Sequence, residues 1–302
     1  MILLLTGAYK YTDEQLEILK KNGMDIIYVN REDEVLDKKC YEAEIIVCNW
    51  LLFHHDIRSF KKLKCIQLLS AGLDRVPLDY IEKKEIKLFN AQGVYSVPMA
   101  EFAIGSVLQI YKDSRFFFEQ QEKKVWKKRR NLMEIYNKRV LVLGAGSVGS
   151  EVAKRFSAFT KYVYGIDILQ KKQDGFVEIY PFDDLQTELS KSDIVIVTLP
   201  LTNDTRGLFD SKMFEKMKQG AVLVNIARGG IIDENALIDA LHQKLMGAAL
   251  DVFLNEPIPK DSKLWHCENL IISPHNSFVS EGNNLRMWNC ICKNIMSFVK
   301  RI

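Results

Sequence analysis

The chain reads as an α/β protein built from two doubly wound parallel-sheet domains, and three observations predict this. Short apolar runs of strand character alternate with helical stretches from end to end, the order that parallel βαβ units produce. Several of the runs are continuously apolar, as strands covered by helices on both faces require. Eleven such runs occur in 302 residues, more than one open sheet usually holds, while the length suits two domains.

The elements follow in order. Met1-Ile2-Leu3-Leu4-Leu5 is too short for a signal peptide and lacks a basic lead-in, so it reads as a buried first strand. Strands at 25–28, 44–48, 65–68 and 87–89 complete the first sheet. Beyond Pro98, residues 99–124 read as one long helix with Phe102, Val107, Leu108 and Tyr111 on its faces, able to leave one domain and enter the next. Strands at 139–143, 162–166, 194–198, 221–225, 247–250 and 270–272 form the second sheet. Residues 282–302 are helical again, with Leu285, Trp288, Ile291, Ile295 and Phe298 at three- or four-residue steps. That helix is expected to pack back on the first domain. The second domain, 104–276, is then an insertion in the first, 1–103 plus 277–302.

Composition narrows the function classes. Lys and Arg number 42 against 39 Asp and Glu, for a formal charge of +3, too small to argue for nucleic acid or a membrane surface as partner. The basic run from Lys123 to Arg130 is read as a solvated helix end and loop. No stretch approaches the roughly 20 apolar residues of a spanning helix, and a cytoplasmic location is expected. The six cysteines match neither a zinc pattern nor a disulfide framework. Cys290 and Cys292, one residue apart on a helix, point to different faces. Reduced thiols are expected, and no metal.

The first chemical signal lies at Val140-Leu-Val-Leu-Gly144-Ala-Gly146-Ser147-Val148-Gly149, a strand, a glycine turn and a helix start. Such a turn needs Gly144 for its tightness, Gly146 for backbone approach to a pyrophosphate, and Gly149 for close packing of helix on strand. The helix N-terminus at Ser147 and Val148 then offers free N–H groups to phosphates. A glycine pattern alone is equally well a structural turn. The next strand, however, ends at Asp167, with seventeen residues between it and Gly149, where the ribose-binding carboxylate is expected. An aspartate there accepts from a ribose diol and repels a 2′-phosphate, so NAD is expected over NADP, with Lys171 and Lys172 nearby.

More specific segments follow. They are Leu199-Pro200-Leu-Thr-Asn-Asp-Thr205-Arg-Gly207, then Asn225-Ile-Ala227-Arg228-Gly-Gly-Ile-Ile-Asp233, then Gly247-Ala-Ala-Leu-Asp251-Val-Phe-Leu-Asn-Glu256-Pro-Ile-Pro259. Trp265 and Ile272-Ser-Pro-His275-Asn complete the set. In kind, order and spacing they resemble the D-isomer-specific 2-hydroxyacid dehydrogenases, almost without a break from about Arg139 to Phe278. The resemblance is fainter earlier, where Leu69-Ser-Ala71-Gly72-Leu-Asp74 is similar to the family's substrate loop and Ala100-Glu101-Phe102 to its linking helix.

The resemblance implies two Rossmann-like domains, one flavodoxin-like and one NAD-binding, around a cleft that excludes water. It implies hydride transfer between NAD(H) and a small 2-oxo or D-2-hydroxy acid, in a homodimer formed mainly through the NAD domain. His275 is then the acid–base group, Glu256 its partner and Arg228 the binder of the substrate, with Asp251 on the nicotinamide carboxamide and Ala71 and Gly72 on the substrate carboxylate. Pro200, Thr205 and Ala227 fall in the cofactor-binding stretches. The chemistry of the residue types agrees. Arginine is a permanent planar donor that forks onto a carboxylate and a neighbouring carbonyl. Histidine titrates near neutrality and suits proton exchange. Glu256, rather than glutamine, argues against the formate dehydrogenase branch. Phe102 stands where many members carry histidine, and Pro98 and Met99 alter the entry to that helix, which leaves the substrate open. Two rivals share the fold: a non-catalytic NADH-sensing interaction protein, similar to the transcriptional corepressors, and a phosphite or L-amino-acid-linked dehydrogenase.

Overall fold

The computed structural model describes residues 1–73 and 76–300; Asp74 of the substrate loop lies outside them. The chain divides into two compact units, Met1–Tyr95 with Ser280–Ile302, and Ser96–Val279.

The first unit holds a five-stranded sheet in the order β2-β1-β3-β4-β5. The strands are β1 (Ile2–Thr6), β2 (Asp25–Val29), β3 (Ile45–Cys48), β4 (Cys65–Leu68) and β5 (Lys87–Phe89), all parallel. This is the flavodoxin-like order. Side chains alternate across the sheet with a period of two. Leu4, Ile46, Ile66 and Leu68 face one layer with Ile57, Phe60 and Ile81. Leu3, Leu5, Ile45, Val47 and Cys65 face the other, against Leu19 and the final helix Asn283–Val299 through Met287, Ile291 and Ile295.

The second unit holds seven parallel strands in the order β12-β11-β10-β9-β6-β7-β8. They are β6 (Val140–Leu143), β7 (Val163–Ile166), β8 (Glu178–Tyr180), β9 (Ile194–Val197), β10 (Val222–Asn225), β11 (Gly247–Leu250) and β12 (Leu270–Ile272). Every residue of β6, β9, β10 and β11 is buried, which explains their apolar sequences, broken only by Asn225 at the end of β10. Leu141, Leu143, Val195, Val197 and Leu223 pack into one layer with Phe209, Phe214 and Leu237. Val140, Val142, Ile194, Ile196 and Val224 pack into the other with Ala103, Val107, Val152 and Phe156. Arg139, at the foot of β6, pairs with Glu188, which is 3% exposed. Burial alone would raise the Glu188 carboxyl; bonds from Lys191 and Arg139 outweigh it and hold the group below its ordinary range.

Three elements differ from the sequence expectation. The stretch read as one helix is two, Ser96–Tyr111 and Ser114–Glu122. Between them Asp113 takes a left-handed backbone (φ 49°), which aspartate tolerates better than most residues. The second helix buries no side chain, so no packing holds the two in line. Ser96–Tyr111 sits with the second unit, where Ala100, Ala103, Val107 and Tyr111 are buried against its sheet. Strand β8 has only three residues, with Ile179 alone buried, too short to register as an apolar run. Among the described residues no helix is long and apolar enough to cross a membrane.

Candidate active site

Parallel strands collect their C-terminal ends along one edge, where ligands of open α/β sheets bind. In the second unit that edge receives, from six neighbouring strands, nearly all the residues singled out in its sequence.

At the end of β6 the three glycines have separable roles. Gly144 has φ +95°, and a Cβ there would lie 3.0 Å from Thr198 Oγ1. Such an atom on Gly149 would lie 1.8 Å from the Gly144 carbonyl oxygen, so only glycine lets the helix Ser147–Phe156 meet the turn. Gly146 is different: nothing lies within 4 Å of its missing Cβ. Its openness serves approach from outside rather than internal packing. No side chain caps the ten-residue helix that follows, and its first N–H groups keep the donor capacity and positive dipole end that suit a pyrophosphate. This cradle fits a dinucleotide.

Asp167 directly follows β7. Its Oδ2 accepts from Ala145 N at 2.6 Å and its Oδ1 from Leu169 N at 2.9 Å. One carboxylate therefore ties the glycine turn to the next strand's exit. Gln173, which sequence reading missed, is a second tie: its Nε2 donates to Ala145 O at 2.9 Å and its Oε1 accepts from Ser150 Oγ at 2.5 Å. Beyond β9, Thr205 is buried and donates through Oγ1 to Pro200 O at 2.6 Å, closing that loop on itself.

Arg228 lies three residues past β10. Asn225, the buried last residue of that strand, holds the connection with both ends of its amide: Oδ1 accepts from Ala227 N and Nδ2 donates to Arg228 O, each at 3.0 Å. Arg228 Nη1 donates to Ala227 O at 2.8 Å. Asp251, just past β11, is 1% exposed. Its carboxylate accepts from Ser273 Oγ, from Asn276 N at 2.7 Å and from Ser277 N at 3.0 Å, while its carbonyl takes His275 N at 2.8 Å. Sequence reading assigned Asp251 to the cofactor's carboxamide; in the structure its carboxylate anchors the loop that carries His275. That loop holds His275 at φ 50°, a backbone state that needs outside support at a non-glycine residue.

The imidazole meets Glu256: Nδ1 and Oε2 are 2.7 Å apart. Glu256 Oε1 accepts from Phe253 N at 2.9 Å, so the carboxylate is held at both oxygens. A cis bond joins it to Pro257, and Trp265 Nε1 donates to Pro259 O at 2.9 Å, pinning the segment from outside. Phe278 lies edge-on to the imidazole at 6.0 Å. With Nδ1 engaged by Glu256, Nε2 is the nitrogen left for a reacting group. Both side chains are about two-fifths exposed, open to small molecules.

Ala71 and Gly72 follow β4 in the first unit, on the C-terminal edge of its own sheet. Asn90 Nδ2 donates to Ala71 O at 2.7 Å, Ser70 Oγ to Gly72 O at 3.0 Å and Tyr95 Oη to Leu69 O at 2.6 Å. On the same edge Glu32, also missed in sequence, accepts from Thr6 Oγ1 and from the N–H groups of Asn49 and Trp50.

Comparison with known proteins places the chain beside 2-hydroxyacid dehydrogenases. The family model described as D-isomer specific 2-hydroxyacid dehydrogenase, NAD binding domain, matches residues 104–277. The D-3-phosphoglycerate dehydrogenase of Archaeoglobus fulgidus is 30% identical over 298 residues, covering 97% of this chain and 56% of that protein. The hydroxypyruvate reductase of Thermotoga maritima is 32% identical over 265 residues, 85% of each chain. The chain thus spans about half the length of the phosphoglycerate dehydrogenases it matches but most of the reductase. Among solved structures, a D-isomer specific 2-hydroxyacid dehydrogenase family protein from Aeromonas salmonicida superposes with a TM-score of 0.81 at 28% identity, covering 99% of this chain and 95% of that one.

Proposed function

The chain belongs to the D-isomer-specific 2-hydroxyacid dehydrogenases, and from that premise we propose that it is an NAD-dependent oxidoreductase interconverting a small 2-oxo acid and its D-2-hydroxy acid. The observation that carries this reading is the Glu256–His275 pair at 2.7 Å, set on the same strand edge as Arg228 and the glycine cradle. When bound, the nicotinamide supplies or accepts the hydride. The protein does the rest. Arg228 binds the substrate carboxylate and polarises the 2-oxo group. His275 Nε2 gives its proton to the carbonyl oxygen during reduction and takes it back during oxidation. Glu256 fixes the tautomer that leaves Nε2 outward and stabilises the imidazolium. Ala71 and Gly72 bind carboxylate through backbone N–H groups. Asp167 selects NAD by its charge.

We propose further that the chain is a homodimer through the second unit. The helix Ser114–Glu122 and the segment that follows it expose Phe118 (62%), Trp126 (97%) and Tyr136 (70%), large apolar side chains of the kind that mark interaction surfaces. Light scattering should read twice the 34.9 kDa chain mass; a monomer at micromolar concentration would overturn this.

The activity is tested by following NADH oxidation against a panel of 2-oxo acids, from glyoxylate and hydroxypyruvate to branched and aromatic ones, with chiral analysis of the product. Turnover to a D-hydroxy acid is expected. Tight NADH binding without turnover on any acid would refute the enzyme reading and leave NADH sensing in its place.

A further inference from the structure

The first unit contains a cavity of 660 Å³ that none of the roles above uses. Its size lies within the range of small-molecule pockets, about 300–1,000 Å³. The floor is apolar, from Leu73, Leu88, Phe89 and Val94. One wall is a single face of the helix Asn283–Val299, where Arg286, then Asn289 and Cys290, then Lys293 and Asn294 follow one another at three- or four-residue steps. Asn90 and Gln92 face them from the loop after β5. Among the described residues the lining therefore carries two cations, several amides and no carboxylate. Neither Arg286 nor Lys293 joins an ion pair among the described residues. Arg286 is oriented by bonds from Nε to Val94 O (2.7 Å) and from Nη2 to Asn283 Oδ1 (2.9 Å), and among the described residues Nη1 makes no further hydrogen bond.

Two polar connections run from this wall, one to the end of β4, directly before the loop at 69–73, and one to that loop itself. Asn294 Nδ2 donates to Gln67 Oε1 at 2.7 Å, and Gln67 Nε2 donates to Leu68 O at 2.7 Å. Gln67 is wholly buried in the interior strand β4, in a sheet whose other buried side chains are mostly aliphatic. A buried amide is costly unless fully bonded, so its place there depends on Asn294. The second connection is Asn90. Its carbonyl accepts from Cys290 Sγ on the same helix face at 3.5 Å, and its side chain donates to Ala71 O at 2.7 Å. Leu73 is both cavity floor and loop.

We propose that this cavity is an effector site for a small organic polyanion, a polycarboxylate or a phosphate, and that its occupant shifts the loop carrying Ala71 and Gly72. The second half rests on the proposed role of that loop in binding substrate. An anion held between Arg286 and Lys293 competes for the amides of Asn294 and Asn90, whose other bonds fix Gln67 and Ala71. Two sites coupled in this way typically alter one another's affinity about 5- to 150-fold.

The test is calorimetric titration of the full chain, saturated with NADH so that the glycine loop is blocked, with citrate and separately with pyrophosphate at constant ionic strength. The response names the carboxylate or the phosphate source. At least one should bind with submillimolar affinity, and the double variant Arg286→Gln, Lys293→Gln should lose at least about tenfold at an unchanged thermal midpoint. Absence of heat with both anions up to about 10 mM, or equal affinity in the double variant, would overturn the site. In steady-state assays the bound anion should move KM for the 2-oxo acid at least about fivefold in wild type, and by a smaller factor in Gln67→Met, which keeps the anion site and the Asn90 connection. A KM indifferent to the anion would overturn the link to the loop. If no acid is turned over, the dehydrogenase reading fails, while the calorimetric result still decides the site.

Discussion

At the scale of single residues, His275 and Asp167 separate chemistry from binding. His275 is held by Glu256 at its side chain and by Asp251 at its backbone, so truncating the imidazole removes a proton donor without dislodging the loop. His275→Ala should lower turnover about 10²- to 10⁴-fold, the share general acid–base catalysis usually supplies. NADH affinity, read by fluorescence titration, should be unchanged. Near-normal turnover would remove His275 from the acid–base role. Asp167 holds Ala145 N and Leu169 N while carrying the charge that disfavours a 2′-phosphate. Asp167→Ala should therefore relax the NADH preference at least about tenfold, one charge interaction of roughly 1.4 kcal/mol, and weaken NADH itself by loosening the turn. A preference ratio identical to wild type would show that selection lies elsewhere.

At the scale of elements, the glycine turn makes the sharpest distinction. Adding a methyl at Gly149 places it 1.8 Å from a carbonyl oxygen, whereas at Gly146 it meets nothing within 4 Å. Gly149→Ala should cost several kcal/mol, at the overpacked end of core substitutions, and lower the thermal midpoint sharply. Gly146→Ala should melt almost as wild type yet bind NADH at least about tenfold more weakly, because the methyl fills the space a pyrophosphate approaches. Equal thermal losses in both variants would remove the distinction. The same turn shows what was legible in sequence. Local pattern found it, and it found eleven of the twelve strands, because buried parallel strands declare themselves as apolar runs. The partners of the site residues were not legible. That Ser273 and Asp251 meet and that Gln173 reaches Ala145 depend on strand register and loop return across more than twenty residues, while the grip of Asn225 on the Arg228 connection is a local turn that residue type alone did not reveal. The break at Asp113 escaped for the opposite reason. A single left-handed residue between two good helical patterns leaves no trace in periodicity.

At the scale of the whole molecule, the two units differ in what they need to fold. Ser96–Val279 is one continuous stretch whose sheet is covered on both faces by its own helices. It also contains the glycine cradle, Asp167, Arg228, Glu256 and His275. The first unit is discontinuous: Met287, Ile291 and Ile295, nearly two hundred residues downstream of β5, fill one face of its sheet. Three such side chains contribute on the order of 1.5–3 kcal/mol each when buried, a large fraction of a domain's net stability of roughly 5–15 kcal/mol. Residues 96–279 expressed alone should therefore give a cooperative thermal transition and bind NADH with an affinity close to that of the full chain. They should reduce no 2-oxo acid, since Ala71 and Gly72 are absent. Residues 1–95 alone should not melt cooperatively and should do so once 280–302 are joined to them by a short linker. A folded 96–279 that fails to bind NADH would mean that the cradle depends on the first unit. Cooperative melting of 1–95 alone would mean that the returning helix covers that sheet without stabilising it.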